Sequence, residues 1–428
     1  MRPVLPRLLA SAFARSTLAV LCASVLVACS GIGTRSPSGH TSPSSATGPI
    51  TIGASLSLTG PFSDDGQAFR KGYELWASDV NGSGGIDGRP VKLTIIDDAS
   101  SPNQVVTNYQ TLFGADHVDL AFGPFSSLLT APASAVAARY GMAFVEGAGG
   151  APSVFDTPSN QADHNVFDVS LPVADEMVPF VDWIASLPPS QRPTTAAYPM
   201  AQDPFADPPV QLAQTLLQKL GLQTVYSNVF PSVLSAYKDP ADQVAASGAQ
   251  VVVLGSTDVP TVSAFMKEFE LQRYTPKLFI AAAGPDQGGA FTSEVGSGNA
   301  NGMMVPNGWF PGYRNATSQQ MVREYVARYH GTASGVNADV AEAYSVGQVM
   351  EQAVAATGGT DNAKIISFLH SGVTLTSVQG PVKFDALGEN GAAAAFIFQW
   401  QQGSFNQVLP TRTAGSVQIT STKPPWTS

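Results

Sequence analysis

Short, largely apolar segments alternate with amphipathic segments from residue 50 onward, and this alternation limits the folds that the chain can adopt. Ile50–Leu56 is the first strand candidate, and behind it Phe69, Tyr73 and Trp76 recur at helical spacing. Strands without strict polar alternation are typical of parallel sheets that helices cover on both faces. The pattern restarts near Pro172, so the sequence predicts an α/β protein with two similar lobes.

The predicted elements follow the same alternation in both lobes. In the first lobe they are strands Ile50–Leu56, Val91–Asp97, Val118–Phe122 and Met142–Val145, with helices Gly66–Val80, Gln104–Phe113 and Leu128–Tyr140 between them. The second lobe is predicted to begin with helix Ala174–Leu187 and to contain strands Thr194–Tyr198, Thr224–Val229, Ala249–Leu254 and Lys277–Ala282. A hairpin over Ala393–Gln401 and Ser404–Leu409 is expected near the end of the chain.

The start of the chain has the pattern of a secretory signal. Arg2, Arg7 and Arg15 precede an apolar run over Leu18–Ala28, which is too short to span a bilayer as a helix. The run ends Leu-Val-Ala-Cys29, which resembles the lipobox of bacterial lipoproteins. We therefore expect cleavage before Cys29 and acylation of its thiol, for example with palmitate. The alternative is an ordinary signal peptide in which this cysteine is incidental.

Residues 30–49 are mostly Ser, Gly, Pro and Thr, so we expect a disordered tether between the anchor and the folded part. Cleavage would remove Cys22 and leave Cys29 as the only cysteine, which excludes a disulfide and a cysteine-ligated metal site. It would also change the net charge from −10 to −13, because three arginines and no acid are lost. An acidic chain is a poor nucleic-acid binder, and its membrane contact is expected through the lipid alone.

The sequence contains no recognisable catalytic motif. The five histidines are scattered singly, and there is no Gly-x-Ser-x-Gly elbow or nucleotide-binding loop. We therefore predict a protein that is not an enzyme and that carries no cofactor and no metal.

Five short motifs follow one another along the chain. They are Ile50–Phe62 with Gly66, Gly84–Arg89 after Asn81, Asp97-Asp98 before Pro102, Gly123–Ser127 before Pro132-Ala133, and Gly380–Asp385 before Gly388. Their order and spacing resemble the leucine/isoleucine/valine-binding family of periplasmic binding proteins. The resemblance extends from Ile50 to about Pro410.

The resemblance implies a type I periplasmic binding protein fold, in which two doubly wound lobes with mainly parallel sheets are joined by three hinge crossings. The first lobe would comprise residues 50–172 and 307–377, and the second 173–306 and 378–428. Such proteins capture a small solute, such as an amino acid or a related acid or amide, and deliver it to an ABC permease and its ATPase subunits. We expect this function at the extracytoplasmic face of a bacterial membrane. A ligand-sensing receptor and, more remotely, an enzyme on the same fold are the alternatives.

The cleft is expected at the carboxyl ends of the strands, where ligands of open parallel sheets bind. Ser126 and Ser127 precede a helix there, and a helix N-terminus favours an anion such as a carboxylate. The resemblance assigns the ligand carboxylate to Ser127 and places backbone groups of Ala148 and Gly150, with Gly149 between them, at the ligand. The alternatives are that the serines only cap the helix and that residues 146–152 form a plain loop.

The chain departs from the amino-acid binders of the family at three positions. Gly150 replaces a hydroxyl residue that helps to hold the α-ammonium group, and Asp65 stands where an aromatic residue is common. The usual second-lobe acid is missing after the strand Lys277–Ala282, and the nearest acid is Asp286. An α-amino acid then requires Asp286 or Asp258 as the partner of its ammonium group.

Several acidic residues are predicted to lie in loops near the cleft. They are Asp65, Asp203, Asp258 and Asp286. If they converge, the site suits a cationic or polyhydroxy ligand, on which Phe205 or Trp309 could stack. The alternative is that they are solvated loop acids and that Trp309 packs at the hinge.

Overall fold

The computed structural model describes residues 48–411 and 415–427 of the chain. The predicted signal, Cys29 and nearly all of the tether lie outside these residues. The strands are β1 Ile50–Leu56, β2 Val91–Asp97, β3 Leu120–Phe122, β4 Phe144–Glu146, β5 Val166–Asp168, β6 Thr195–Ala201, β7 Gln223–Phe230, β8 Val251–Leu254, β9 Leu278–Ala281, β10 Met303–Asn307, β11 Leu375–Ser377, β12 Gly380–Val382, β13 Phe396–Gln401 and β14 Ser404–Leu409.

The helices connect these strands and cover the sheets. They are α1 Ser63–Gly82, α2 Pro102–Gly114, α3 Ser127–Arg139, α4 Pro152–Phe155, α5 Pro158–Asp163, α6 Val178–Ser186, α7 Asp207–Lys219, α8 Lys238–Ser247, α9 Val259–Leu271, α10 Gly289–Val295, α11 Ser297–Ala300, α12 Ala316–Tyr329, α13 Ala338–Thr357 and α14 Asn362–Leu369. None of the helices in the described part of the chain is both long and apolar enough to cross a membrane.

The first sheet has the order β2-β1-β3-β4-β5, and all its strands are parallel. Apolar side chains cover both of its faces. On one face Ile52 packs in a core with Trp76 of α1, and on the other Phe144 packs in a core with Tyr109 of α2. A parallel sheet with helices on both faces is a doubly wound arrangement. We call this sheet and the helices packed on it the first lobe.

The second sheet has the order β14-β13-β10-β9-β8-β6-β7. Strands β6 to β10 are parallel to one another, while β13 runs antiparallel to β10 and to β14, so that β13 and β14 complete one edge. Val253 packs on one face with residues of α6 and α7, and Val252 packs on the other with residues of α8 and α9. This sheet and its helices form the second lobe. The predicted α/β class with mainly parallel sheets is therefore confirmed.

The chain passes between the two sheets three times, after β5, after β10 and after β12. The third passage differs from the sequence-based expectation, which assigned residues from 378 onward to the second lobe. Val378, Val382 and Phe384 pack in the core of the first lobe, because β11 and β12 form a hairpin whose apolar side chains face that core. The passage to the second sheet therefore follows Phe384.

Helices α1 and α13 cross at very short range in the first lobe. A Cβ atom at Gly72 of α1 would lie 2.5 Å from a backbone carbonyl of α13, and one at Gly347 of α13 would lie 2.1 Å from the Trp76 ring. Two helices that approach this closely need glycine at the contact. The contacts also align the two helices in the same direction, so their first turns, with Asp65 and Asp339, lie side by side.

Candidate ligand-binding cleft

A cavity lies where the carboxyl ends of the strands in the two sheets face each other. It encloses about 780 Å³ that no protein atom occupies, part of it open to solvent. Ser126 follows β3, Ala148 follows β4 and Ser170 follows β5, while Phe205 follows β6 and Ala282 follows β9. Both lobes therefore contribute the residues that come directly after their parallel strands, as expected for an open α/β sheet.

Six of the ten residues predicted for the cleft line this cavity. They are Asp65, Ser126, Ala148, Gly150, Phe205 and Asp286. The other four, Ser127, Gly149, Asp203 and Asp258, are not among its lining residues.

Ser127 and Gly149 of the first lobe do not line the cavity, and each makes a contact that holds the loop after β4. The Oγ atom of Ser127 accepts the N–H of Ala151 at 3.2 Å, so this serine supports the loop after β4 from behind. A Cβ atom at Gly149 would lie 2.5 Å from the side chain of Thr130, so this glycine allows the same loop to rest on α3.

The two aspartates of the second lobe also hold local structure. Asp258 caps α9, because its Oδ1 atom accepts the N–H of Thr261 at 2.8 Å. In the same way Oδ1 of Asp203 accepts the N–H of Phe205 at 2.8 Å, which turns the loop so that the Phe205 ring lines the cavity. Burial raises the pKa of Asp203 to about 6.

Four acidic residues of the cavity were missed by the sequence-based prediction. They are Asp168, Glu176, Asp339 and Glu342. Asp339 and Glu342 are three residues apart in the first turns of α13, a spacing that places them on one helix face and could have identified them. Asp168 ends a strand of only three residues, and Glu176 lies in the segment that leaves the first lobe.

The cavity is strongly acidic. Six carboxyl groups line it, those of Asp65, Asp168, Glu176, Asp286, Asp339 and Glu342, and none of its described lining residues is Lys, Arg or His. Burial raises the pKa of Asp168 to about 7, that of Asp339 to about 7 and that of Asp286 to about 6. Burial also raises the pKa values of the other three well above the usual range of a carboxyl.

A glutamine of the second lobe contacts two of these acids across the cleft. The Nε2 atom of Gln287 donates to Oδ1 of Asp65 and, at 3.3 Å, to Oδ2 of Asp339. Asn337 completes the group, because its Nδ2 atom donates to Oε1 of Gln287 at 3.3 Å and to Oδ2 of Asp339 at 3.0 Å. One side chain of the second lobe thus bridges the first turns of α1 and α13.

Three buried polar atoms beside the cavity have no hydrogen-bond partner among the described residues. They are Oγ of Ser126, Oδ2 of Asp168 and Oε2 of Glu176. Ser126 is 6% exposed and has a φ angle of +73°, which an L-residue adopts only under strain. Buried polar groups are normally paired, so these atoms indicate a binding site.

The match to a known family agrees with this geometry. Residues 49–404 match the model of the family described as periplasmic binding protein. The chain belongs to the periplasmic binding protein family. Its family and fold are those of solute-binding proteins rather than enzymes, and the family implies an extracytoplasmic location.

Two relatives extend over most of this periplasmic binding protein. The Leu/Ile/Val-binding protein homolog 3 of Brucella melitensis is 22% identical over 366 residues, which is 84% of this chain and 94% of the relative. The amino acid binding protein of Pseudomonas aeruginosa is 24% identical over 362 residues, which is 84% of this chain and 92% of the relative. The expected likeness to the Leu/Ile/Val-binding type is therefore confirmed.

Solved structures share the fold at low sequence identity. The branched-chain amino acid transporter substrate binding protein LivJ of Streptococcus pneumoniae, in complex with isoleucine, matches with a TM-score of 0.71 at 16% identity and covers 83% of this chain and 97% of its own. A solute binding protein of an ABC transporter from R. palustris, in complex with benzoate, also has a TM-score of 0.71 at 16% identity, and covers 84% and 95%. The fold is thus that of type I periplasmic binding proteins.

Two features near the loop after β4 distinguish this binding protein from the expected amino-acid site. A Cβ atom at Gly150 would lie 2.6 Å from Oδ2 of Asp168, so the carboxylate occupies the space that a side chain at 150 would need. The carboxylate of Glu146 accepts the N–H groups of Ala148 at 2.8 Å and Gly149 at 2.5 Å through Oε2. Two backbone donors of the loop after β4 are therefore already occupied within the protein.

Proposed function

We propose that this protein captures a small solute between its two lobes outside the cytoplasm and delivers it to an ABC permease, whose ATPase subunits are separate chains. The observation that carries the proposal is a cavity lined from both lobes, beside which atoms of Ser126, Asp168 and Glu176 have no hydrogen-bond partner within the described part of the chain. A solute that pairs these atoms would be held by both halves of the protein at once.

Hinge closure would couple binding to delivery. Because the lining residues come from both lobes, a solute can contact all of them only when the lobes are close, so it stabilises the closed arrangement. The contact of Gln287 with Asp65 and Asp339 bridges the lobes in the same region and supports this mechanism.

A thermal-shift screen against a solute library tests the capture step, since a ligand that binds the native state raises the melting temperature. For a solute found in this way, Ser126→Ala is expected to weaken binding by about 1–3 kcal/mol, because a buried solute group would lose its partner. Ser78→Ala on the exposed side of α1 is the matched control and should leave the affinity unchanged. Equal affinities of the Ser126→Ala variant and the unmodified protein would remove Ser126 from the site, and consumption of the solute would indicate an enzyme instead.

We further propose that an acyl chain on Cys29 anchors the protein to the membrane. The support is the apolar run that ends in Leu-Val-Ala-Cys29 and the Ser/Gly/Pro-rich segment after it. Cys29→Ser should move the protein from the membrane fraction to the soluble exported fraction. Cys22→Ser, within the same apolar run, is the control and should not change the distribution. Full membrane retention of Cys29→Ser would contradict the proposal.

A further inference from the structure

The charge of the cavity constrains the class of solute. Three of its six acids already accept hydrogen bonds from side-chain amides: Asp65 and Asp339 from Gln287, and Asp286 from Asn307 at 3.4 Å. No comparable side-chain donor reaches Oδ2 of Asp168 or Oε2 of Glu176 among the described residues. Two carboxylate oxygens therefore lie at the cavity without a partner of opposite charge, and carboxylates only accept hydrogen bonds when they are ionised.

Asp168 lies where a binding side chain would otherwise be. Its Oδ1 atom accepts the N–H of Ser170 at 2.8 Å, which fixes the carboxylate, and its Oδ2 atom fills the space beside Gly150. The residue is only 1% exposed, so water cannot easily compensate the charge. At this place the cavity thus has a fixed carboxyl group, which in its ionised form is suited to a cationic N–H group.

Some of the donors that a solute carboxylate could use in this cavity are already bound within the protein. Glu146 accepts the N–H groups of both Ala148 and Gly149. The nearest hydroxyl at the N-terminus of α3 is Ser126, which can accept a hydrogen bond as well as donate one. The described lining has no basic side chain to balance an anionic group, and each of the six acids repels such a group once it is ionised.

Part of the remaining lining is apolar. Phe125, Leu171, Val173, Phe205 and Pro306 contribute to it from both lobes. An inorganic ion has no apolar surface to bury against these side chains, whereas an organic molecule can bury its carbon skeleton there. Among the described residues there is also no group of three or more acidic, histidine or cysteine side chains placed to hold a metal ion.

We infer that the solute is an organic cation that carries at least one positively charged nitrogen and no carboxylate, with its charge held by Asp168 and Glu176. This inference rests on the proposed solute-binding function and narrows the class of solute.

The affinity for such a cation should rise with pH. Asp168 is surrounded by acids on every side: Glu146 on β4, Glu176 on the connection to the second lobe, Glu342 on α13 and Glu389 beyond β12. Burial raises the pKa of Asp168 to about 7, so this group is partly protonated at neutral pH and must lose its proton to bind a cation. A neutral polyol would not require this deprotonation.

The test is a calorimetric and thermal-shift comparison with the full exported chain at low salt. The cationic probes are 1,4-diaminobutane, agmatine and choline; the other probes are leucine, benzoate, glucose and calcium chloride. We expect at least one cationic probe to bind at pH 8, with at least tenfold weaker binding at pH 5.5. Glu176→Gln and Asp168→Asn should each weaken that binding at least tenfold, while Asp175→Asn, the exposed neighbour of Glu176, should change it less than twofold.

The outcomes separate this inference from the proposed function. Binding of leucine, benzoate or glucose without binding of any cationic probe would overturn the cation inference and leave the solute-binding function intact. Binding of calcium alone would overturn the organic class. If none of the probes binds, the cation inference is overturned. If no solute of the wider thermal-shift library binds either, the result also contradicts solute capture. Cation binding that Glu176→Gln and Asp168→Asn leave unchanged would show that another surface holds the charge.

Discussion

Lowering the pH from 8 to 5 should stabilise the ligand-free protein, in contrast to proteins whose acids are paired with bases. Burial raises the pKa of Asp168 and of Asp339 to about 7 and that of Asp286 to about 6 in the folded protein. In the unfolded chain an aspartate has a pKa of about 3.9. The folded state therefore binds protons that the unfolded state has already lost. Its extra stability is complete below the unfolded pKa and is lost as the pH rises through the folded pKa.

The size of the effect follows from the pKa values. Between pH 5 and pH 8, one carboxyl with a folded pKa of 7 should cost about 2–3 kcal/mol of unfolding free energy, and one with a folded pKa of 6 about 1 kcal/mol. The contributions of Asp168, Asp339 and Asp286 should not add fully, because ionisation of one acid disfavours ionisation of the next. We expect a total loss of at least about 2 kcal/mol.

Urea unfolding followed by circular dichroism at pH 5, 6, 7 and 8 measures this dependence. The protein is first unfolded, dialysed and refolded, because a bound cation would keep the acids ionised and hide the effect. Asp168→Asn should reduce the change in unfolding free energy between pH 5 and pH 8 by about 2–3 kcal/mol, since the titrating group is gone. Asp175→Asn, an exposed acid seven residues away, should keep the full dependence. If Asp168→Asn retains the same dependence as the unmodified protein, burial of this carboxyl is not its cause.

Two further predictions concern contacts near the cleft, namely the close crossing of α1 and α13 and the bridge made by Gln287. Gly347→Ala should lower the unfolding free energy by about 1–3 kcal/mol, because its Cβ atom would lie 2.1 Å from the buried Trp76 ring, whereas Gly82→Ala, with no atom within 4 Å, should be neutral or slightly stabilising. Equal stability of the two variants in thermal unfolding would refute the close crossing of α1 and α13. Gln287→Glu should place a third carboxyl beside the two that it contacts, and should increase the radius of gyration in X-ray scattering more at pH 8 than at pH 5. An unchanged radius at both pH values would mean that this contact does not hold the lobes together.

The periodicity of apolar residues predicted most elements within a few positions. The predicted helix Gly66–Val80 is part of α1, and the predicted strand Met142–Val145 overlaps β4, because side-chain spacing reports which face is buried but not where the backbone hydrogen bonds stop. Strand β5, Val166–Asp168, was missed. Its position at the sheet edge comes from pairing with β4, which is a tertiary contact.

The site was predicted in part because the carboxyl ends of parallel strands meet at one edge. That rule placed Ser126 and Asp286 near the cleft, and both line the cavity, whereas Ala148 was assigned from the resemblance to the family. It could not decide between Ser126 and Ser127. The choice depends on the positive φ angle of Ser126, which rotates its side chain toward the cavity and leaves Ser127 behind the loop.

Gly150 and Asp168 are best understood as one feature of the site. From the sequence alone, Gly150 indicates that the site lacks the hydroxyl group that helps to hold an ammonium group in the amino-acid binders. In the structure the same glycine makes room for Oδ2 of Asp168, which would lie 2.6 Å from any Cβ atom at 150. A side chain at 150 would therefore require the Asp168 carboxyl group to move from this position. If Asp168 holds the solute as we infer, a carboxyl group stands where the hydroxyl group would be, and in its ionised form it would be the partner of a cation.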